Sequence, residues 1–237
     1  MKELKEIISE HENVTVFTGA GVSTFSGIRD FRGENGLYND EDADKIFDLG
    51  YFMKDPSFYY SKSKNFIYNL DEKHPTIVHQ TLASLEEEGL IKAVITQNID
   101  LLHQKAGSKD VIEVHGSPSS HKCLNCGKNF DFEYIAKIVK QDKVPKCSCG
   151  GVIKPEITFF GENLPEDAIT RAFNLAAQSD LMLVLGSSLV VQPAASIPMQ
   201  TIRSGGKIII VNNMSTPLDS YAFKLYKDLE EFCNLLK

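Results

Sequence analysis

Short, nearly uninterrupted apolar runs recur along the chain, and each stops at polar residues. The runs "VTVF" (14 to 17), "KAVIT" (92 to 96), "VIEV" (111 to 114), "LMLVL" (181 to 185) and "KIIIV" (207 to 211) are too short for helices and are bounded by turn formers. Near-continuous Val, Ile and Leu is what a strand covered on both faces requires, so these runs predict a buried, mostly parallel sheet. Helical periodicity separates most of them. "PTIVHQTLASLEEEG" opens with Pro75 and Thr76, sets Val78, Leu82 and Leu85 on one face and stops at Gly89, a sequence with both start and stop signals of a helix. "PEDAITRAFNLAAQS" (165 to 179) predicts a second helix and residues 2 to 11 a third. Strand alternating with helix gives an α/β fold built on a doubly wound parallel sheet.

Two stretches break the rhythm. Residues 33 to 75 form a connection far longer than an ordinary βα loop, which predicts a lid and a small helical module with its helix in "DPSFYYSKSKNFIYNL". Residues 118 to 154 form the second insertion and hold four of the five cysteines. The remaining parts, 1 to 32, 76 to 117 and 155 to 237, are left for the sheet and its helices.

Composition narrows the function. With 42% apolar and 24% charged residues the chain is an ordinary globular protein. It has no apolar run of about 18 residues and a polar start, so it is expected in the cytoplasm with no membrane partner. A net charge of -7 leaves no electrostatic footprint for nucleic acid and favours a polypeptide partner. Cys123-x-x-Cys126 and Cys147-x-Cys149 stand 20 residues apart. In a chain of this kind that spacing points to a metal rather than to disulfides. Four thiolates saturate a tetrahedral zinc and leave no open position, so the predicted ion is structural. Cys233 shares a helical face with Leu229, Phe232 and Leu236 and is expected in the core.

In open α/β sheets, ligands lie beyond the carboxyl ends of the strands. Here those ends read "TGAG", "QNID", "HGS", "GSS" and "NN". Gly19 and Gly21 permit a tight turn and close approach to a diphosphate, but Thr24 stands where a dinucleotide fingerprint has its third glycine. The glycine turn by itself fits a nucleotide site and a plain turn equally. Among the histidines, His11, His74 and His121 read as solvated, while His79 and His103 read as structural hydrogen-bond formers in helices. His115 differs, standing directly after a buried run and before Gly116.

Taken together, "GAGVSTFSGIRDFRG", "TQNIDLLHQKAG", "EVHGS", the cysteine quartet, "FFGE", "GSSLVVQPA" and "VNN" follow the order and spacing of the sirtuins, the NAD-dependent protein lysine deacylases. The chain resembles that family from about residue 10 to 235, most closely its small bacterial members. The resemblance implies a Rossmann-like domain with an inserted helical module and a zinc ribbon. It implies an NAD site in which Gly19, Ala20, Gly21, Thr24, Asp30, Phe31 and Arg32 line the phosphates and nicotinamide ribose. Gly186, Ser187 and Ser188 would meet the phosphates and adenosine ribose, with Asn212 and Asn213 on the adenosine side. Gln97 and Asn98 would hold the nicotinamide ribose, Ile99 and Asp100 the carboxamide, and His115 would be the general base. Asn98 and His115 are thus the implied catalytic pair. The acyl-lysine peptide would lie as an added strand between Ile157, Phe159, Phe160, Gly161 and Glu162 on one side and Ser188, Leu189 and Val190 on the other. The products would be nicotinamide, free lysine and O-acyl-ADP-ribose.

Three departures from the family pattern stand out. Arg29 replaces a common proline, which predicts a less rigid cofactor loop; Thr158 replaces an aliphatic residue; and Cys147-x-Cys149 is one residue short. A Tyr-x-x-Arg pair that holds acyl carboxylates is missing, since Tyr59-x-x-Lys62 is out of register, and uncharged acyl groups are favoured. The alternatives are ADP-ribosyl transfer or NAD hydrolysis at the same site, and a non-enzymatic nucleotide sensor or zinc-ribbon binding protein.

Overall fold

The computed structural model describes residues 3–31, 33 and 36–237, so Arg32 lies outside the described residues. Helix α1 (Leu4–Ser9) leads into β1 (Val14–Thr18), whose five residues are all buried. Three short helices follow, α2 (Ala43–Ile46), α3 (Leu49–Lys54) and α4 (Pro56–Ser63), the last with Pro56 in its first turn after the Asp55 cap. Helix α5 (Ile77–Glu87) starts at Thr76, whose N–H donates to His79 Nδ1 at 3.1 Å, so a histidine takes the reciprocal place of a capping box.

Strand β2 (Ala93–Thr96), α6 (Leu102–Ala106) and β3 (Val111–Glu113) complete the first half of the main sheet. The cysteine-bearing insertion is a small antiparallel sheet of β4 (Gly116–Cys123), β5 (Asn129–Asp131) and β6 (Ile153–Ile157), with α7 (Phe132–Val139) against it. The second half runs α8 (Glu166–Gln178), β7 (Leu181–Leu185), α9 (Ile197–Arg203), β8 (Lys207–Val211), β9 (Lys224–Tyr226) and α10 (Leu229–Asn234).

The main sheet has the order β3-β2-β1-β7-β8-β9, all parallel. Numbered within the sheet alone this is 3-2-1-4-5-6, the doubly wound Rossmann order, with its reversal between β1 and β7. Five of its strands match the apolar runs. The sixth, β9, went unpredicted because its three residues alternate in exposure and carry no apolar run. One core joins Leu4 and Ile8 of α1, Val78, Leu82 and Leu85 of α5, and Phe232 and Cys233 of α10 to one face of the sheet. The other joins Ala172 and Ala176 of α8 and Ile197 of α9 to the opposite face. Two covered faces explain why the strands are apolar at successive rather than alternate positions.

A third core merges the two insertions: Phe47, Phe52, Tyr59, Tyr60 and Tyr68 pack with Cys123, Ile135, Cys147, Ile153 and Phe159. His121 belongs to it. The sequence reading placed this ring in solvent, but it points to the inner face of β4, is fully buried, and bonds through Nε2 to the Tyr68 hydroxyl at 2.9 Å. Burial pulls its pKa down to about 4, so the ring is neutral.

Candidate active site

Register sets the site. Glu113, Thr96, Thr18, Leu185, Val211 and Tyr226 form one row across the sheet, so six strands finish level and their next residues share one edge. At the reversal, the Gly19 N–H donates to the Leu185 carbonyl at 3.0 Å and the Gly21 N–H to the Gly186 carbonyl at 2.9 Å. Gly186 has φ +61°, and a Cβ there would lie 2.6 Å from Val22 N. A Cβ on Gly21 would lie 2.8 Å from Gly186 Cα. The glycines therefore serve each other as well as any ligand: two strand-end turns touch backbone to backbone, which no side chain permits. The segment after Gly19 is a 3-10 helix, Ala20–Ser26.

Beyond these turns opens a cavity of about 570 Å³, within the ordinary range for small-molecule sites. Gly19, Ala20, Gly21, Thr24, Asp30 and Phe31 line it from the first loop, and Gln97, Asn98 and Ile99 from the second. His115 follows β3; Gly186, Ser187 and Ser188 follow β7; Asn212 and Asn213 follow β8. Ile157, Phe159, Phe160, Gly161 and Glu162 form a further wall running out of β6, with Thr158 among them. Leu189 and Val190 are not on the lining: Leu189 is buried beneath it with φ +54°, and Val190 is exposed. Asp100 faces an adjoining cavity of about 150 Å³, which shares Ala20, Phe31, Asn98 and Ile99 with the larger one.

Sequence reasoning missed two groups. Phe47 of the helical module lines both cavities, and Lys227, Asp228 and Leu229 line the larger one because they follow β9, the strand too short to leave a periodic signal. Phe25, Val191, Gln192 and Pro193 were also missed. They lie inside the stretches "GAGVSTFSGIRDFRG" and "GSSLVVQPA", so the motifs that carried the resemblance were the signal that could have found them.

The polar floor is bonded in advance. Asn98 is 7% exposed, and its Nδ2 donates to the Gly19 carbonyl and Ser23 Oγ, both at 3.1 Å. Ser23 in turn donates to Asp100 Oδ2 at 2.6 Å, while Asp100 Oδ1 accepts the Leu102 N–H at 2.9 Å. Gln97 Nε2 donates to Ser187 Oγ at 2.7 Å and ties the ends of β2 and β7 together. His115 Nδ1 donates to the Gln97 carbonyl at 2.9 Å, which leaves Nε2 with a free lone pair. Burial lowers the pKa of His115, against the opposing pull of that hydrogen bond, so the ring is neutral and basic at pH 7. Behind the floor, His79 and His103 make hydrogen bonds within the fold: His79 Nδ1 accepts the Thr76 N–H, and Thr18 Oγ1 lies 3.0 Å from Nε2 of His103.

Arg29 has partners among the described residues of the first loop. Its guanidinium grips Asp40 through two nitrogens at 2.6 and 2.9 Å and donates to the Gly36 carbonyl at 3.0 Å. An ion pair thus bridges the base of the loop where the family has a rigid ring.

The four clustered cysteines meet. Their sulfurs all lie within 4.8 Å of one another, and two pairs, Cys123 with Cys149 and Cys126 with Cys147, stand 3.5 and 3.6 Å apart. A tetrahedral zinc with Zn–S bonds of about 2.3 Å spaces its sulfurs by about 3.8 Å, so the cage fits one such ion. The Gly151 N–H, and after it the Asn125 amide, pull the Cys149 thiol down to about 6, whereas, against the pull of the Lys128 N–H, the other three sulfurs push the Cys126 thiol up, as crowded thiols sharing one site do. The shortened knuckle closes because Gly150 takes φ +82° and its N–H returns to the Cys147 carbonyl at 2.9 Å.

A sheet in this order with its cavity at the reversal defines a Rossmann-type α/β protein. The chain belongs to the Sir2 family, whose model matches residues 19–193. A Thermotoga maritima protein named NAD-dependent protein deacetylase is 47% identical over 98% of this chain and 95% of its own. An Archaeoglobus fulgidus protein named NAD-dependent protein deacylase 2 is 39% identical over 92% of this chain and 87% of its own. Among solved structures, a Sir2 histidine-to-alanine variant with a deacetylated p53 peptide and 3'-O-acetyl ADP ribose superposes with a TM-score of 0.93 at 45% identity, covering 99% of this chain and 97% of that one. Sir2 with a p53 peptide and NAD+ gives 0.89 at 45% identity, covering 97% and 93%.

Proposed function

We propose that the protein is an NAD-dependent protein lysine deacylase that consumes NAD, an acyl-lysine and one water and releases nicotinamide, free lysine and O-acyl-ADP-ribose, the acyl oxygen taking the ribose carbon that nicotinamide leaves and the water entering only afterwards. The observation that carries this is His115: a neutral imidazole, fixed through Nδ1, on the same cavity as the glycine turn and the Ile157–Glu162 wall. Relatives over nearly the full length bear the corresponding names.

The cavity fits NAD in its convergent strand ends and its pre-bonded amide and carboxylate. Bound there, NAD supplies a ribose carbon that becomes electrophilic as nicotinamide leaves. Gly19, Ala20 and Gly21 would offer backbone to the diphosphate, with Ser187 and Ser188 facing it from the end of β7. Asn98 and Gln97 would hold the ribose, and Asp100 and Ile99 the carboxamide. His115 Nε2 accepts a proton from a sugar hydroxyl, a role its lowered pKa suits at neutral pH. Phe31 and Phe47, edge to face with centroids 6.1 Å apart, keep water from the reacting sugar.

The acyl group is uncharged. Tyr59 is buried behind the wall against Phe159, and the Lys154 ammonium there is neutralised by Glu162. One structural zinc holds the cysteine module. A cysteine quartet in metal geometry rather than in disulfides supports a reducing compartment, and with it a cytoplasmic enzyme acting on acyl-lysine proteins. Among the described residues no helix is long and apolar enough to cross a membrane.

Mass spectrometry of a reaction containing NAD and acetyl, longer fatty-acyl and succinyl lysine peptides tests this. O-acyl-ADP-ribose should form with the uncharged acyl groups. His115→Ala should abolish it while NAD binding and zinc content persist. ADP-ribose alone, or ADP-ribosylated protein, would replace the deacylase reading with one of hydrolysis or ADP-ribosyl transfer.

A further inference from the structure

The reaction described above leaves one buried charge without a role. Lys154, on β6, has 6% of its side chain exposed, and lysine is almost never this buried unless it is paired. Its Nζ lies 2.7 Å from Glu162 Oε2, 2.7 Å from the Ile157 carbonyl and 3.2 Å from the Pro155 carbonyl. All three ammonium donors are thereby used. The Phe159 ring centroid is 4.1 Å away, so a cation–π contact covers the remaining face. The same Glu162 oxygen also accepts the Phe159 N–H at 2.8 Å. One ammonium therefore closes residues 154 to 162 into a ring around Phe159.

That ring is a wall of the main cavity, with Ile157, Thr158, Phe160 and Gly161 on the lining. Its backbone is anchored on two sides. The Thr158 N–H donates to the His115 carbonyl at 2.8 Å, and Phe160 pairs with the helical module through the Phe47 carbonyl at 2.7 Å and the Leu49 N–H at 3.1 Å. A buried ion pair costs desolvation that a packed apolar pair avoids, so cohesion alone is poor grounds for having one here. Direction is what the charges add, because a satisfied ammonium admits one arrangement of its three acceptors.

We propose that Lys154, acting through Glu162, is a positioning residue that sets the Ile157–Glu162 wall for the acyl-lysine peptide and leaves the NAD side untouched. This rests on the deacylase reading above. Binding of a fluorescent acetyl-lysine peptide, calorimetric binding of NAD, and the KM for each substrate are measured on wild type, Lys154→Met, Lys154→Arg and Glu162→Gln. Lys154→Met should weaken peptide binding and raise the peptide KM by about tenfold or more while the NAD values stay within about threefold. Lys154→Arg should recover the part of the loss that charge toward Glu162 supplies, and not the part that depends on the ammonium's three acceptors, since a planar guanidinium is no substitute for them.

If Lys154→Met does not fold, Lys154→Gln, measured in the same way, decides, because it lies off the cavity lining, keeps a donor for the Ile157 and Pro155 carbonyls and removes the charge. A peptide-selective loss in that variant supports the proposal, and unchanged peptide binding overturns it. Equal losses toward peptide and NAD also overturn it, since they would mean a general stabilising role. A wild-type protein that neither binds nor deacylates the peptide refutes the deacylase reading and this proposal with it. An active wild type with an unshifted Lys154→Met refutes the proposal alone.

Discussion

His79 and His103 lie side by side behind the cavity floor, their rings tilted at 58° with centroids 4.6 Å apart, 0% and 1% exposed. Burial pulls their pKa values to about 4 and about 3; the Asp100 carboxylate opposes the fall at His79, and His79 adds to it at His103. In the unfolded chain both titrate at about 6.5. Between that pH and the folded values, the unfolded chain binds two protons that the folded one refuses, so stability is complete above about pH 6.5 and is lost as pH falls. At pH 5 the loss is about 2 kcal/mol for each ring, or about 4 kcal/mol for the pair, and it is set by the unfolded pKa for as long as the folded values stay well below 5. That is a large part of the roughly 5–15 kcal/mol that holds a typical domain together. Glu113 works the other way: burial raises its carboxyl pKa, so the folded state takes up that proton first and regains some stability in acid.

Urea denaturation at pH 8 and pH 5, on wild type and on His79→Gln/His103→Gln, reads the difference. Each protein is referred to itself at pH 8, so the basal cost of the substitutions cancels. Titrations common to both proteins, including those of the cysteines and Glu113, cancel as well. The wild type should lose about 4 kcal/mol more than the variant on going to pH 5. Equal losses would refute the placement of two neutral rings in the core.

Gly186→Ala puts a Cβ 2.6 Å from Val22 N, where ordinary contact begins at 3.4 Å, in a left-handed conformation that costs about 1–2 kcal/mol in itself. The β1 and β7 turns must part, and calorimetry should show NAD affinity reduced at least about tenfold with zinc content unchanged; full affinity would count against the paired turns as the cofactor's seat. Cys147→Ser should reduce zinc from one ion per chain to none in a metal assay and lower the melting temperature, because the cage is continuous with the core shared by both insertions. Arg29→Ala should raise the KM for NAD several-fold with an unchanged denaturation midpoint, since an exposed ion pair contributes little to global stability. A large fall in the midpoint would show that the clamp supports more than its loop.

The strand ends show why so much of the site was legible. A parallel strand covered on both faces must be apolar throughout, so the change from "VTVF" to "TGAG" or from "AVIT" to "QNID" marks both the end of a strand and the start of a ligand-facing loop. The cysteine spacing was legible for a similar reason, since coordination geometry requires the ligands to come in close pairs. Strand β9 escaped because three residues carry no period, and with it went Lys227, Asp228 and Leu229. His121 was misplaced because exposure depends on which face of β4 a residue takes, and a polar type at one position does not reveal the face.

Local pattern alone thus determined the alternation of strand and helix, the polar strand ends and the cysteine pairs, because each follows from burial or bond geometry within a few residues of chain. Tertiary structure alone decided that Gly19 and Gly21 abut Gly186, that His115 Nδ1 is spent on Gln97, that Arg29 reaches Asp40, and that Lys154 closes on Glu162. Those contacts depend on register, on twist and on which insertion folds back over which strand. Such quantities are set by the packing of the whole core, and no short stretch of chain contains them.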